Sequence, residues 1–169
     1  MRFENPLRGP RTVRQLVEGA EHHARSLGDA QIGAEHMLLA ALDLPDGMAR
    51  RALECAGGDP DSTEAAIRWT HTSALHRVGL QPVADASLTI EPPRRSWRNN
   101  FGESAKQVLR TAAARWSMDG TNAVGLHILD AVGDLREGTA ARALRELGVE
   151  PGAIHAAVLD ELATVDRAA

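Results

Sequence analysis

Two stretches of the chain carry apolar residues at steps of three and four, which is the spacing of an amphipathic helix. One stretch begins near Thr12 and the other near Ser104, and each hydroxyl residue is followed three positions later by a glutamine. That pairing can cap a helix N-terminus. The pattern therefore predicts two helices, each with one buried face, whose apolar positions are Val13, Leu16, Val17, Ala20 and Ala24, and Ala105, Val108, Leu109, Ala112 and Trp116.

Three shorter helical segments follow each of these helices. We expect second helices at about 34–42 and 126–132, and third helices at about 47–56 and 139–147. Gly57 and Gly148 end the third helices, since glycine accepts the left-handed backbone that closes a helix. A proline then begins a fourth helix in each half, and these helices end near Trp69 and Ala163. The sequence thus predicts eight helices and an all-α fold.

The two halves are copies of one helical unit. A shift of 92 residues, which becomes 91 after one residue is lost, aligns pairs such as Thr12 with Ser104, His36 with His127, and Pro60 with Pro151. We predict a single domain over residues 1–169, with repeat 1 at 10–70 and repeat 2 at 101–165. The long connector at 71–100 is irregular apart from a possible extended piece at 87–90, and its length fits either a mobile linker or a functional loop.

Composition and charge exclude several classes of protein. The net charge of -4 argues against a partner that offers a phosphate backbone, so we expect no nucleic acid. The sequence contains no apolar run long enough to span a membrane and no secretion signal, which favours a cytoplasmic protein without a membrane partner. Cys55 is the only cysteine, so neither an internal disulfide nor a paired-cysteine zinc site is expected.

The polar residues show no recognised catalytic or metal motif. His22 and His23 are adjacent and cannot share one helix face, and His-Glu-x-x-His does not occur. Gly-x-Ser-x-Gly, Ser-x-x-Lys and a glycine-rich phosphate loop are also missing from the sequence. We therefore predict no enzyme activity, no cofactor and no metal. The alternative is a metal-dependent or small-molecule-dependent enzyme that uses Glu35, His36 and His127.

One segment resembles the signature of a known family. Residues 32–39 read Ile-Gly-Ala-Glu-His-Met-Leu-Leu, which is similar to the Ile-Gly-Thr-Glu-His-Leu-Leu of the Clp N-terminal repeat. Leu27-Gly28, residues 49–53 and Phe101 also match that family, and the resemblance covers most of 10–70 and 101–162. It implies two pseudo-twofold-related four-helix repeats joined by a long linker, as found at the front of Clp ATPases of the ClpA and ClpC type, where the domain receives adaptors and substrates.

The resemblance also implies a class of function. A P-loop would read Gly-x-x-x-x-Gly-Lys-Ser/Thr, and this sequence contains none, so the chain resembles the free-standing, ClpC-like N-domain proteins of actinobacteria that lack AAA+ modules. We expect a non-catalytic protein-binding or peptide-binding module that acts as an accessory factor or decoy for a Clp ATPase-protease system. The partners implied are Clp components, adaptor or substrate proteins, arginine-phosphorylated proteins and cyclic peptide antibiotics. The alternative is the cropped front domain of a longer Clp ATPase.

The same resemblance implies ligand-binding residues. Glu35 matches a glutamate that helps hold the guanidinium group of phosphorylated arginine. A carboxylate at a helix N-terminus can also be present simply because the helix dipole favours negative charge there. Leu126 or His127 replaces that glutamate in the second copy. Phe101 matches a phenylalanine of an apolar surface that binds cyclic peptides, and Phe3 is a second candidate for this surface. A phenylalanine just ahead of a helix can equally pack as a hydrophobic staple.

Overall fold

Eight α-helices make up most of the chain in the computed structural model, which describes residues 11–77, 79, 100–119 and 123–168. The helices are α1 (Arg11–Leu27), α2 (Ala34–Leu42), α3 (Met48–Cys55), α4 (Thr63–Arg77), α5 (Glu103–Asp119), α6 (Val124–Gly133), α7 (Thr139–Glu146) and α8 (Pro151–Ala168), with a 3-10 turn at Pro60–Ser62. Within these ranges the strand geometry is limited to an isolated parallel bridge between Ile32 and Phe101. None of the described helices combines the length and apolarity needed to cross a membrane. The all-α prediction is confirmed.

The helix limits follow the sequence signals closely, except at the ends of the two fourth helices. Gly57 and Gly148 have φ angles of +88° and +73°, so each supplies the left-handed residue that ends a third helix. α4 continues past Trp69 to Arg77, so residues 71–77 of the predicted connector are helical, and α8 continues past Ala163 to Ala168. The possible extended piece at 87–90 lies outside the described residues.

The fourth helix of each repeat packs on the third helix of the other repeat, and α8 also packs on α6 of its own repeat. Within each repeat the first helix packs on the second, as α1 on α2 and α5 on α6, and the two second helices pack on each other across the repeats. In contrast, α4 of repeat 1 packs on α7 of repeat 2, and α8 of repeat 2 packs on α3 of repeat 1. Each repeat therefore relies on the other to cover the apolar face of its third helix.

The central helices α2 and α6 form the middle of the hydrophobic core. All residues of α6 are buried, and all residues of α2 are buried except Glu35. Their sequences are almost continuously apolar, which is typical of helices that are surrounded on all sides. Glu35 is therefore the single position of α2 whose side chain is not fully enclosed by the core.

Candidate functional site

The segment that leads into α2 is held in place by the start of repeat 2. The Ile32 N–H donates to the Asn100 carbonyl at 2.9 Å, and the Gly102 N–H donates to the Ile32 carbonyl at 2.9 Å. The Ala34 N–H donates to the Ser104 hydroxyl at 3.1 Å. Ser104 was expected to cap its own helix, but it lies inside α5, and its hydroxyl caps α2 instead. Both repeats therefore build this corner of the molecule.

His36 joins three parts of this corner by hydrogen bonds. Its side chain is 0% exposed, its Nδ1 accepts from the Gly33 N–H at 2.8 Å, and its Nε2 lies 3.0 Å from Asp29 Oδ2. Because Nδ1 accepts, the proton of the neutral ring is on Nε2 and is donated to Asp29. His36 thus caps α2 and orients the Asp29 carboxylate.

Glu35 folds back over the backbone just before α2. Its carboxylate fills the space beside Gly33, where an added Cβ would lie 2.2 Å from Glu35 Oε1. The side chain is 14% exposed, and the neighbouring His36 Nδ1, at 3.8 Å, is already an acceptor for Gly33. No hydrogen-bond donor from the described part of the chain reaches this carboxylate. A largely buried carboxylate without a donor is well placed to receive a cationic ligand.

Two further polar side chains converge on Glu35. Asp29 follows α1, His71 lies on α4, and one ligand atom from each of Asp29, Glu35 and His71 lies within 4.8 Å of the others. We call these three residues the repeat 1 polar site. The sequence analysis selected Glu35 from its motif but neither Asp29 nor His71, because no short motif connects residues on three separate elements. Only the packing of α4 beside this corner reveals them.

Repeat 2 lacks the corresponding side chains. Leu126, which takes the place of Glu35, is 0% exposed and belongs to the core. At the 91-residue shift Leu162 takes the place of His71, and it also packs against the core. His127 is 2% exposed, as expected for the equivalent of the buried His36. The polar site is therefore a feature of repeat 1.

An apolar cavity lies between α1, α5 and α6. Its volume is about 220 Å³, and it is lined by Val13, Leu16, Val17, Leu109, Arg110, Ala112, Ala113, Trp116, Val124, His127 and Ile128. Glu35, Phe101 and Leu126 do not line it. Of the residues predicted for ligand binding, the structure thus places Glu35 in the polar site and His127 at this cavity.

Phe101 is part of the hydrophobic core. It is 9% exposed and pairs with Ile32 through the parallel bridge that joins the two repeats. This position agrees with the packing role that was considered for it, and leaves little of the ring available to a ligand. Phe3, the second predicted member of the apolar surface, lies outside the described residues.

Comparison with known proteins agrees with this architecture. Residues 11–91 match the family model described as Clp repeat (R) N-terminal domain. Chloroplastic chaperone protein ClpC1 of Oryza sativa subsp. japonica is 27% identical over 95 residues, which are 56% of this chain and 10% of that chaperone. The crystal structure of the N-terminal domain of the caseinolytic protease associated chaperone ClpD from Arabidopsis thaliana has the same fold, with a TM-score of 0.64 and 20% identity, over 96% of this chain and 99% of that one. The family match assigns residues 11–91 to the Clp repeat (R) N-terminal domain, and the motif before α2 and the duplicated helical unit agree with that assignment.

Proposed function

We propose that this chain is a non-catalytic module that binds segments of substrate or adaptor proteins in a cytoplasmic Clp system. The observation that carries the proposal is the Glu35 carboxylate, which is largely buried and has no donor from the described residues. Family membership supports the same class of role, since the resemblance of the motif implies a domain that receives other proteins. Both an accessory factor and a decoy would use such a module.

The chemistry of the polar site favours an arginine side chain. A guanidinium group is planar and presents paired N–H donors, which match the two oxygens of a carboxylate. Asp29 lies beside Glu35 and adds negative charge, so a cation gains attraction from both residues. His71 offers an imidazole N–H that could donate to a phosphate oxygen if the arginine is phosphorylated. We therefore propose phosphoarginine as the first ligand to test.

The apolar cavity supports a second contact for the same class of ligand. Apart from Arg110 and His127, its lining is apolar, and Trp116 provides a large surface for the side chains of a peptide. A cyclic peptide that binds Clp N-terminal domains would place its apolar groups here. Binding of such inhibitors by this chain would leave fewer of them for a Clp ATPase, as expected of a decoy.

Calorimetric titration tests both contacts. We expect wild-type protein to bind phosphoarginine, and Glu35→Gln to weaken that binding at least tenfold while the affinity for the cyclic peptide stays unchanged. Trp116→Ala should show the opposite pattern, and Phe101→Ala tests whether the exposed edge of that ring contributes. Glu103→Gln is the matched control, because Glu103 is an exposed carboxylate paired with Lys106 and lies outside the polar site. The proposal would be refuted if the wild-type protein bound neither phosphoarginine nor the cyclic peptide.

The enzyme alternative has its own test. Replacement of Glu35, His36 and His127 by alanine should abolish any activity that depends on them. If a hydrolytic or transfer activity of the wild-type protein were lost in this variant while folding was retained, the chain would be an enzyme and the binding proposal would be incomplete.

A further inference from the structure

We infer that Asp29, Glu35 and His71 form a binding site for a divalent transition-metal ion of the Zn²⁺ class, with one coordination position open to a ligand. The three side chains come from the loop after α1, from α2 and from α4, and their ligand atoms lie within 4.8 Å of one another. This inference goes beyond the proposed binding of proteins, which does not require a metal.

The types of donor favour this class of metal. One imidazole nitrogen and two carboxylate oxygens form a mixed set of the kind that binds zinc with three protein ligands and a fourth, exchangeable position. Calcium and magnesium instead need about six or more oxygen ligands. With metal–ligand bonds of about 2.1 Å, tetrahedral donor atoms lie about 3.4 Å apart. Side-chain rotations that move these atoms by about 1 Å would therefore bring all three to a common ion.

The surroundings orient one of the carboxylates in the way that metal ligands are usually oriented. The buried His36 donates to Asp29 Oδ2, and the Gly33 N–H fixes the tautomer of that ring. The other oxygen of Asp29 is left available. Hydrogen-bonded partners behind the ligands are a regular feature of metal sites, because they fix the direction of each ligand.

The charge and exposure of the site also favour a bound cation. Two carboxylates held close together repel each other, and no donor from the described residues offsets the charge of Glu35. A dication would remove that repulsion. The side chains of Asp29 and Glu35 are 33% and 14% exposed, so the site is open enough for an ion to enter and for a ligand to reach the fourth position.

Repeat 2 shows that the helical unit does not need polar residues at these places. Leu126 and Leu162 occupy the positions of Glu35 and His71, and both pack against the core. In repeat 2, apolar side chains at these positions are therefore sufficient for the packing of the helical unit. The polar set in the other copy needs a separate explanation, and metal binding provides one.

Zinc affinity is measured by competition with a chromogenic chelator, using the full chain with Cys55→Ser, because the exposed thiol of Cys55 would bind zinc by itself. We expect one tight site per chain, which is weakened at least tenfold by His71→Ala and by Asp29→Asn. The asparagine keeps an acceptor for His36, so this variant should fold normally, as circular dichroism can verify. His22→Ala, which removes an exposed histidine, is the matched control and should keep the site. The inference is wrong if zinc binds equally well to His71→Ala, Asp29→Asn and His22→Ala, or binds to none of the proteins.

A second titration separates this inference from the proposed function. Glu35 belongs to both, so phosphoarginine is titrated in the presence of a chelator and zinc is titrated without phosphoarginine. Binding of phosphoarginine without any tight zinc site would overturn the metal site alone. A tight zinc site in a protein that does not bind phosphoarginine would support the metal site and overturn the arginine ligand.

Discussion

Gly58 and Val149 occupy the same position in the two repeats, and they lie against each other. A Cβ atom on Gly58 would come within 2.8 Å of Val149 Cγ2 and within 2.8 Å of Leu53 Cδ1. Equivalent residues can meet only where the axis that relates two copies passes, so this contact marks the pseudo-twofold axis. One copy supplies a glycine and the other a valine, which together fill a space too small for two side chains.

Substitutions on this axis should affect stability in a coupled way. We expect Gly58→Ala to lower the free energy of unfolding by about 1–3 kcal/mol through overpacking, and Val149→Ala to lower it by about 1–3 kcal/mol through lost burial and a cavity. The double variant should lose less than the sum of the two, because the shortened side chain gives room to the new methyl group. Urea unfolding measures all three values.

Gly152→Ala is the matched control for the axis, since a Cβ there meets no atom within 4 Å. Its stability should equal or slightly exceed that of the wild-type protein, because alanine favours the helix. Strict additivity of Gly58→Ala and Val149→Ala would contradict direct contact between the two positions.

The packing of each fourth helix on the third helix of the other repeat predicts that neither repeat folds alone. A fragment of residues 1–80 lacks the α7 surface on which α4 packs, and a fragment of residues 100–169 lacks the α3 surface on which α8 packs. We expect weak helical circular dichroism and no cooperative unfolding for each fragment, and a gain of both when the fragments are mixed in equal amounts. A cooperative melt of either fragment by itself would show that the repeats are independent domains.

The sequence predicts the helices well but not their partners. The limits of α2 and the ends at Gly57 and Gly148 follow from apolar spacing and glycine chemistry, which act locally. Periodicity shows which face of a helix is buried without showing what covers it, so the packing of α4 on α7 and of α8 on α3 could not be inferred. The end of α4 at Arg77 has a local signal that was missed, since Gly79, two residues later, has a left-handed φ of +76°.

The candidate site was predictable only where a motif marks it. Glu35 stands beside His36 in a recognisable segment, and the structure places it as the one incompletely buried residue of α2. Asp29 and His71 reach the same place through tertiary packing, which leaves no trace in local spacing. Phe101 was proposed for an apolar ligand-binding surface because it matches a family phenylalanine, whereas its bridge to Ile32 depends on how the two repeats dock.

The cap at Asp59 predicts a dependence of stability on pH. Hydrogen bonds from the Ser62 hydroxyl and then from the Asp61 N–H lower the pKa of Asp59 below its usual value. A carboxyl whose pKa is lower in the folded state stabilises the protein above its unfolded pKa, and this contribution is lost as the pH falls through the folded pKa. The stability difference between wild-type protein and Asp59→Asn should therefore shrink between pH 7 and pH values of about 3 in urea unfolding.

Asp160→Asn serves as the control for this cap, because Asp160 lies on the exposed face of α8. Its difference from the wild-type protein should change much less over the same pH range. If the Asp59→Asn difference stayed constant or grew toward low pH, ionisation of Asp59 would not stabilise the turn that begins α4.

Gly33→Ala should displace the Glu35 carboxylate while keeping the residue itself, so it tests whether the folded-back conformation of Glu35 is needed for binding. The backbone at Gly33 is extended, with φ -99° and ψ 178°, so alanine fits it without strain, but the new Cβ would take the space of the Glu35 carboxylate. That carboxylate is the end of a flexible side chain and can rotate away, so we expect the free energy of unfolding to change by less than about 1 kcal/mol. Phosphoarginine binding should nevertheless fall as far as in Glu35→Gln, and titration of the two variants side by side measures this. Wild-type affinity in Gly33→Ala would mean that the folded-back conformation of Glu35 is not the one that binds.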